Sequence, residues 1–102
     1  MKNNKDFKIT DRKGFQLIFS NGLCISVQFG AGNYCDNYNS KDWKQKETAK
    51  SDTSEIAIMD TKKHYEFVTS KIIKDIDDDV KGYVTSDEVA DLIIKVKRWK
   101  RK

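Results

Sequence analysis

The sequence predicts an α+β fold in which a four-stranded antiparallel β-meander packs against a C-terminal amphipathic helix. Three observations predict it: paired alternating apolar runs around Asn21-Gly22, a second such pair around Asp60-Thr61-Lys62-Lys63, and a helically spaced apolar set after Thr85-Ser86-Asp87-Glu88. The 102 residues leave room for a single domain, because a chain of this size buries only about two-thirds of the surface it exposes when unfolded.

The chain opens on a charged stretch, 1–6, that is expected to be flexible. Phe15-Gln16-Leu17-Ile18-Phe19 then places Phe15, Leu17 and Phe19 on one face of a strand, and Leu23-Cys24-Ile25-Ser26-Val27-Gln28-Phe29 places Leu23, Ile25, Val27 and Phe29 likewise. A two-residue Asn-Gly loop would oppose Phe19 to Cys24 and Leu17 to Ser26, setting apolar against polar positions. A three-residue loop, Ser20-Asn21-Gly22 with Gly22 left-handed, instead faces Phe19 with Leu23, Leu17 with Ile25 and Phe15 with Val27. The bulged hairpin is therefore predicted. With no proline in the chain, turns are expected at glycine, asparagine and aspartate.

Residues 30–53 show no periodicity and exceed the length of about 12–15 at which unstructured loops become uncommon. Such a segment is functional, mobile or ordered by its own side chains, with 39–53 as its polar, lysine-rich part. Glu55-Ile56-Ala57-Ile58-Met59 and His64-Tyr65-Glu66-Phe67-Val68 read as the second hairpin. In the terminal helix Val89, Leu92, Ile93, Val96 and Trp99 share a face that should close the sheet. Thr85 and Glu88 form a capping box, and Val84 with Val89 forms a hydrophobic staple. A basic tail, 98–102, follows and suits the negative end of the helix dipole.

Charged residues make up 35% of the chain and aromatic residues 11%, which excludes wholesale disorder and indicates a core with long polar excursions. The apolar runs fall far short of the roughly 20 residues of a membrane-spanning helix. No apolar stretch of signal-peptide length follows the charged start, so the protein is expected in the cytoplasm with Cys24 and Cys35 reduced. Sixteen acidic residues dilute the twenty basic ones to a net charge of +4. The charge is nonetheless segregated, with aspartates at 75–79 and a lysine and arginine cluster at 95–102.

The segment richest in chemistry is Ser26-Val27-Gln28-Phe29-Gly30-Ala31-Gly32-Asn33-Tyr34-Cys35-Asp36-Asn37-Tyr38, where a buried strand runs into two glycines and then amide and aromatic side chains. Gly30 and Gly32 permit close backbone approach, Tyr34 and Tyr38 offer stacking faces, and Asn33, Asp36 and Asn37 offer hydrogen bonds. Lys41, Trp43 and Lys44 add charge and another ring. This kit suits a nucleotide-type small molecule or a single strand. The structural alternative is that the glycines turn the chain while Asn33 and Asn37 fold onto local backbone.

The run Ser26-Val27-Gln28-Phe29-Gly30-x-Gly32-Asn33-Tyr34-Cys35-x-Asn37, with Asn21-Gly22 before it, resembles a family of small uncharacterised phage and prophage proteins. Glu55-Ile56-Ala57 and Val80-x-Gly82-Tyr83-x-x-x-x-Glu88-Val89 extend the resemblance over roughly residues 15–94, with 39–53 departing from the pattern. The resemblance brings no known activity. It implies a non-enzymatic accessory role in the host cytoplasm, expected to be counter-defence by binding a host protein or sequestering a nucleotide signal.

Three further readings remain. Asp77, Asp79, Gly82, Val84 and Glu88 fall at EF-hand positions one, three, six, eight and twelve, which would make 77–88 a calcium loop, although Lys81 sits where an oxygen ligand is expected. Segment 67–76 would then have to be the entering helix. The basic 97–102 stretch, with Trp99 stacking, would serve nucleic acid. A Cys35–His64 pair lacks any supporting motif, and no metal-ligand spacing or cofactor motif is present. No catalytic, metal or cofactor residues are assigned. A meander also leaves an exposed edge strand, at which a homodimer can form.

Overall fold

Strict alternation of side chains makes the register of each strand pair decide what the sheet buries. A computed structural model describes residues 5–10, 12–44 and 50–101. Strands β1 (Asp6–Thr10), β2 (Gly14–Ile18), β3 (Leu23–Gln28) and β4 (Thr53–Asp60) are successive antiparallel neighbours. The outer edge of β4 is shared by β5 (Glu66–Phe67) and β6 (Val80–Thr85). A 3-10 turn (Thr61–Lys63) and the single-turn helix α1 (Thr69–Ile72) lie between them, and helix α2 (Ser86–Lys97) follows β6 directly. The antiparallel sheet with a C-terminal helix is as predicted, but the sheet has six strands rather than four.

The first hairpin has the predicted register. Phe15 opposes Val27 and Leu17 opposes Ile25. The Gly22 amide donates to the Phe19 carbonyl at 2.9 Å, the Phe19 amide donates to Leu23 at 2.9 Å, and Gly22 has a φ of +88°. The same phase carries on through β4, where Ile25 opposes Ile58 and Val27 opposes Ile56. Ile25, Val27, Ile56 and Ile58 are thereby buried on one face, under Val89 and Val96 of α2 and Ile72 and Ile73 near α1. Ile18, Cys24 and Met59 form a small cluster of their own.

The second predicted hairpin is altered. β4 extends through Asp60, the 3-10 turn and a His64-Tyr65 turn follow, and pairing resumes for only two residues. Below that pairing the edge of β4 belongs to β6. Between β5 and β6, Ile58 is served by other groups: its carbonyl accepts from the Val68 amide at 2.8 Å, and its amide donates to the buried Thr69 Oγ1 at 2.9 Å. No backbone group of this buried residue is orphaned, which is why one strand edge can serve two partners.

Two further expectations are corrected. Asp6, placed with the flexible start, begins β1, while 1–4 lie outside the described residues. Arg12, His64, Tyr65 and Tyr83 all take positive φ, so turns here are not confined to glycine, asparagine and aspartate. Local hydrogen bonds hold two of these: the Tyr65 amide donates to Asp60 at 3.0 Å and the Tyr83 amide to Tyr34 at 2.9 Å.

The calcium-loop geometry is not what residues 77–88 adopt. α1 spans four residues instead of an entering helix, and Val80–Thr85 is a strand paired with β4. Glu88 Oε1 accepts from the Thr85 amide at 2.9 Å and the Glu88 amide donates to Thr85 Oγ1 at 3.3 Å, completing the capping box. The Thr85 amide and hydroxyl hold the Glu88 carboxyl below its ordinary range. Val84 and Val89 are both buried in the main core, as the staple requires.

The basic tail docks. Asn21, at the hairpin tip, sends its Nδ2 to the Val96 carbonyl at 2.8 Å and the Trp99 carbonyl at 3.2 Å, while its Oδ1 accepts from the Leu23 amide at 3.0 Å. Arg101 makes a bidentate pair with the buried Asp60, both contacts at 2.9 Å, and Trp99 packs on the core. Trp99 and Arg101 are thus held against the fold; Lys102 lies outside the described residues.

Candidate functional site

The loop after β3 is ordered by its own polar side chains. Asn33 Oδ1 accepts from the Gly30 amide at 2.9 Å, and Asn33 Nδ2 reaches Glu55 at 3.2 Å. Asn37 Nδ2 donates to the carbonyls of Phe29 at 2.8 Å and Lys50 at 2.9 Å. The Asp36 amide donates to Thr53 Oγ1 at 3.0 Å, and that hydroxyl donates back to Asp36 Oδ1 at 2.9 Å. Gly30 and Cys35 are buried, with the Cys35 thiol 3.7 Å from the Gly30 carbonyl. Asn33, Asp36 and Asn37 are thus brought together as scaffold. Both Asn33 groups and the Asn37 Nδ2 are bonded within the protein, while Asp36 is exposed.

What the scaffold presents outward is aromatic. Tyr34 and Tyr38 stack with centroids 5.6 Å apart and planes 9° from parallel. Trp43 lies over Gly32, whose φ is +82°, and a Cβ there would sit 2.5 Å from the indole Cη2. Lys13 Nζ stands 4.4 Å above the same indole and donates to the Ala31 carbonyl at 2.9 Å. A cation over a tryptophan face is a mutual orienting contact. An open groove of about 380 Å³ runs between Gly32, Tyr38, Asn39, Ser40, Lys41 and Trp43. Residues 45–49 of the lysine-rich segment lie outside the described residues.

A fourth ring comes from β6. Between the Ser54–Val84 and Ile56–Lys81 pairs, one residue of β4 opposes two of β6, Gly82 and Tyr83. This is a β-bulge, with Tyr83 left-handed at φ +56°. Bulges re-aim side chains, and a bulky residue with positive φ is strained by roughly 1–2 kcal/mol. Here the bulge is locked to the loop. The Tyr83 amide donates to the Tyr34 carbonyl at 2.9 Å, and a Cβ on Gly82 would lie 2.8 Å from Tyr34 Cβ. Gly82 is therefore the seat of Tyr34. Tyr34, Tyr38, Trp43 and Tyr83 remain between 42% and 58% exposed.

The structure places Gly30, Gly32, Asn33, Tyr34, Asp36, Asn37 and Tyr38 in one ordered loop, a segment whose sequence does not tell inward from outward polar groups. Sequence patterning missed Lys13, Gly82 and Tyr83. The Gly82-Tyr83 dipeptide was visible, but only a bulge gives it meaning. The remaining candidates lie elsewhere: His64 is exposed in the turn before β5, and Cys24 and Cys35 are free and buried. Burial pushes the Cys24 thiol up to about 11. Among the described residues no three His, Cys, Asp or Glu side chains gather as a metal site, and no helix is long and apolar enough to cross a membrane.

Comparison of the chain with known protein families, curated proteins and solved structures finds no match.

Proposed function

We propose that this is a non-enzymatic phage accessory protein that acts by stoichiometric binding, and that it holds a host protein through the Tyr34, Tyr38, Trp43 and Tyr83 face. One observation carries the reading: four partly exposed rings, three from the loop and one from β6, stand beside asparagine amides already bonded within the protein. Tyrosine and tryptophan dominate binding hot spots because they supply large contact area for few rotatable bonds. The stacked pair and the Trp43–Lys13 contact hold the rings before a partner arrives, which lowers the ordering cost of binding. The phage and counter-defence parts rest on the resemblance over residues 15–94.

The amide inventory weighs against reading a nucleobase edge, since Asn33 and Asn37 are committed to Gly30, Glu55, Phe29 and Lys50. Nucleotide sequestration is the second reading, supported by the groove between Tyr38 and Trp43 with Lys41 on its wall. Affinity capture from host cells separates the two. Recovery of one protein by the wild-type chain, lost with Tyr34→Ala and Tyr38→Ala, supports the proposal; each truncation at a hot spot costs at least about 2 kcal/mol, roughly 30-fold in affinity. A rise in melting temperature with a nucleotide, abolished by the same variants, would replace it with sequestration.

A further inference from the structure

We propose that two copies of this chain pair antiparallel along the free edge of β1, with Phe7 on the two-fold axis, to make one continuous sheet. Among the described residues β1 ends the strand order and pairs with β2 alone. Backbone groups alternate in direction along a strand. The Thr10 carbonyl accepts from the Lys13 amide inside the β1–β2 turn at 2.7 Å, so Thr10 and Lys8 address β2 while Phe7 and Ile9 address the open side. The Phe7 amide bears this out, donating to the adjacent Asp6 carboxylate at 3.0 Å rather than to β2.

The side chains on this strand are unlike those of a protected edge. Phe7 opposes Leu17 and Ile9 opposes Phe15, which puts both on the face that α2 covers farther along the sheet. The helix does not reach them: Phe7 is 84% and Ile9 85% exposed. Lysines often guard edges, but Lys8 lies on the face opposite Phe7 and Ile9, where it donates to the Tyr65 hydroxyl at 3.0 Å. An open edge that carries two exposed apolar side chains is a template for another strand.

A second copy fits by symmetry and charge. Several in-phase registers keep Phe7 and Ile9 on the apolar face, and charge separates the two centred on the middle of the strand. One places Lys8 opposite Lys8, which repels; the other places Phe7 opposite Phe7 and Asp6 opposite Lys8 on both sides of the axis. The second is the register proposed. The partner's Phe7 carbonyl then takes over the amide that Asp6 caps in the single chain.

Sedimentation velocity on the full chain at roughly 100 μM tests this at a concentration where modest self-association registers. A dimer is expected, and Ile9→Pro should convert it to monomer while leaving the circular dichroism unchanged, because that amide points away from β2. Phe7→Cys, oxidised with diamide, should form a covalent dimer: directly opposed residues lie about 5.5 Å apart, within disulfide reach. Ile9→Cys, opposed to Lys5, should not. A monomeric wild type, a dimer that Ile9→Pro leaves intact, or cross-linking at Ile9 equal to that at Phe7 would each overturn the proposal.

Discussion

Replacing Asn21 by alanine tests whether the hairpin tip serves as the C-terminal cap of α2. Its Nδ2 serves the Val96 and Trp99 carbonyls and its Oδ1 takes the amide of the buried Leu23. Val96 keeps a second donor, the Trp99 amide at 3.2 Å, so the bonds lost are those to the Trp99 carbonyl and from the Leu23 amide, with a longer 3.4 Å contact to the exposed Lys97 carbonyl. At about 1 kcal/mol net for each bond, with more for a buried group left unpaired, the loss is about 2–3 kcal/mol. For a domain of this size that lowers the melting temperature by roughly 10–20 °C. Asn21→Asp is the discriminating variant. It preserves turn chemistry and the acceptor for Leu23, but presents a carboxylate to helix-end carbonyls, so it should destabilise at least as much as alanine. Thermal melts by circular dichroism, with urea midpoints at unchanged slope, provide the measurement. A mild Asn21→Asp effect, within about 3 °C of wild type, would show that Asn21 acts only as a turn residue.

Two further outcomes follow from the same structure. Arg101→Ala leaves the buried Asp60 carboxylate only the Lys62 amide, and breaking such a pair costs about 3–5 kcal/mol, toward the lower end here because that amide remains and Arg101 is partly exposed. Arg101 holds the Asp60 carboxyl below its ordinary range, so this contribution is full above about pH 4 and lost as pH falls through the folded value; in Arg101→Ala the acid limb of the pH–stability curve should flatten, and an unchanged limb would contradict the assignment. Gly32→Ala should displace the Trp43 indole from Lys13, read as altered tryptophan emission, and cost about 1–2 kcal/mol for the left-handed backbone; unaltered emission would mean that the indole does not rest on Gly32.

Legibility followed the range of the interactions. The Asn21-Gly22 hairpin and the Thr85–Glu88 box were readable because period-two patterning and cap chemistry act within a few residues. β6 was not, because the bulge at Gly82-Tyr83 breaks alternation between Val80 and Val84. β1 carried a real but short signal, Phe7-Lys8-Ile9, whose apolar members prove exposed. The second hairpin was overextended because nothing local reports that β6 occupies the β4 edge. At the site, the glycine-rich segment was found, but the direction of its amides depends on Lys50, Thr53 and Glu55, more than a dozen residues downstream.

The central claim, that the displayed rings hold a partner, is tested most directly with Tyr83→Gly. Glycine relieves a left-handed tyrosine worth about 1–2 kcal/mol against an entropic loss of about 0.5–1 kcal/mol, so the variant should melt at or above the wild-type temperature. Capture from host cells with the two chains side by side then reads binding alone. One protein is expected with the wild type and is expected to be absent with the folded variant. Equal recovery of that protein by both would contradict the claim.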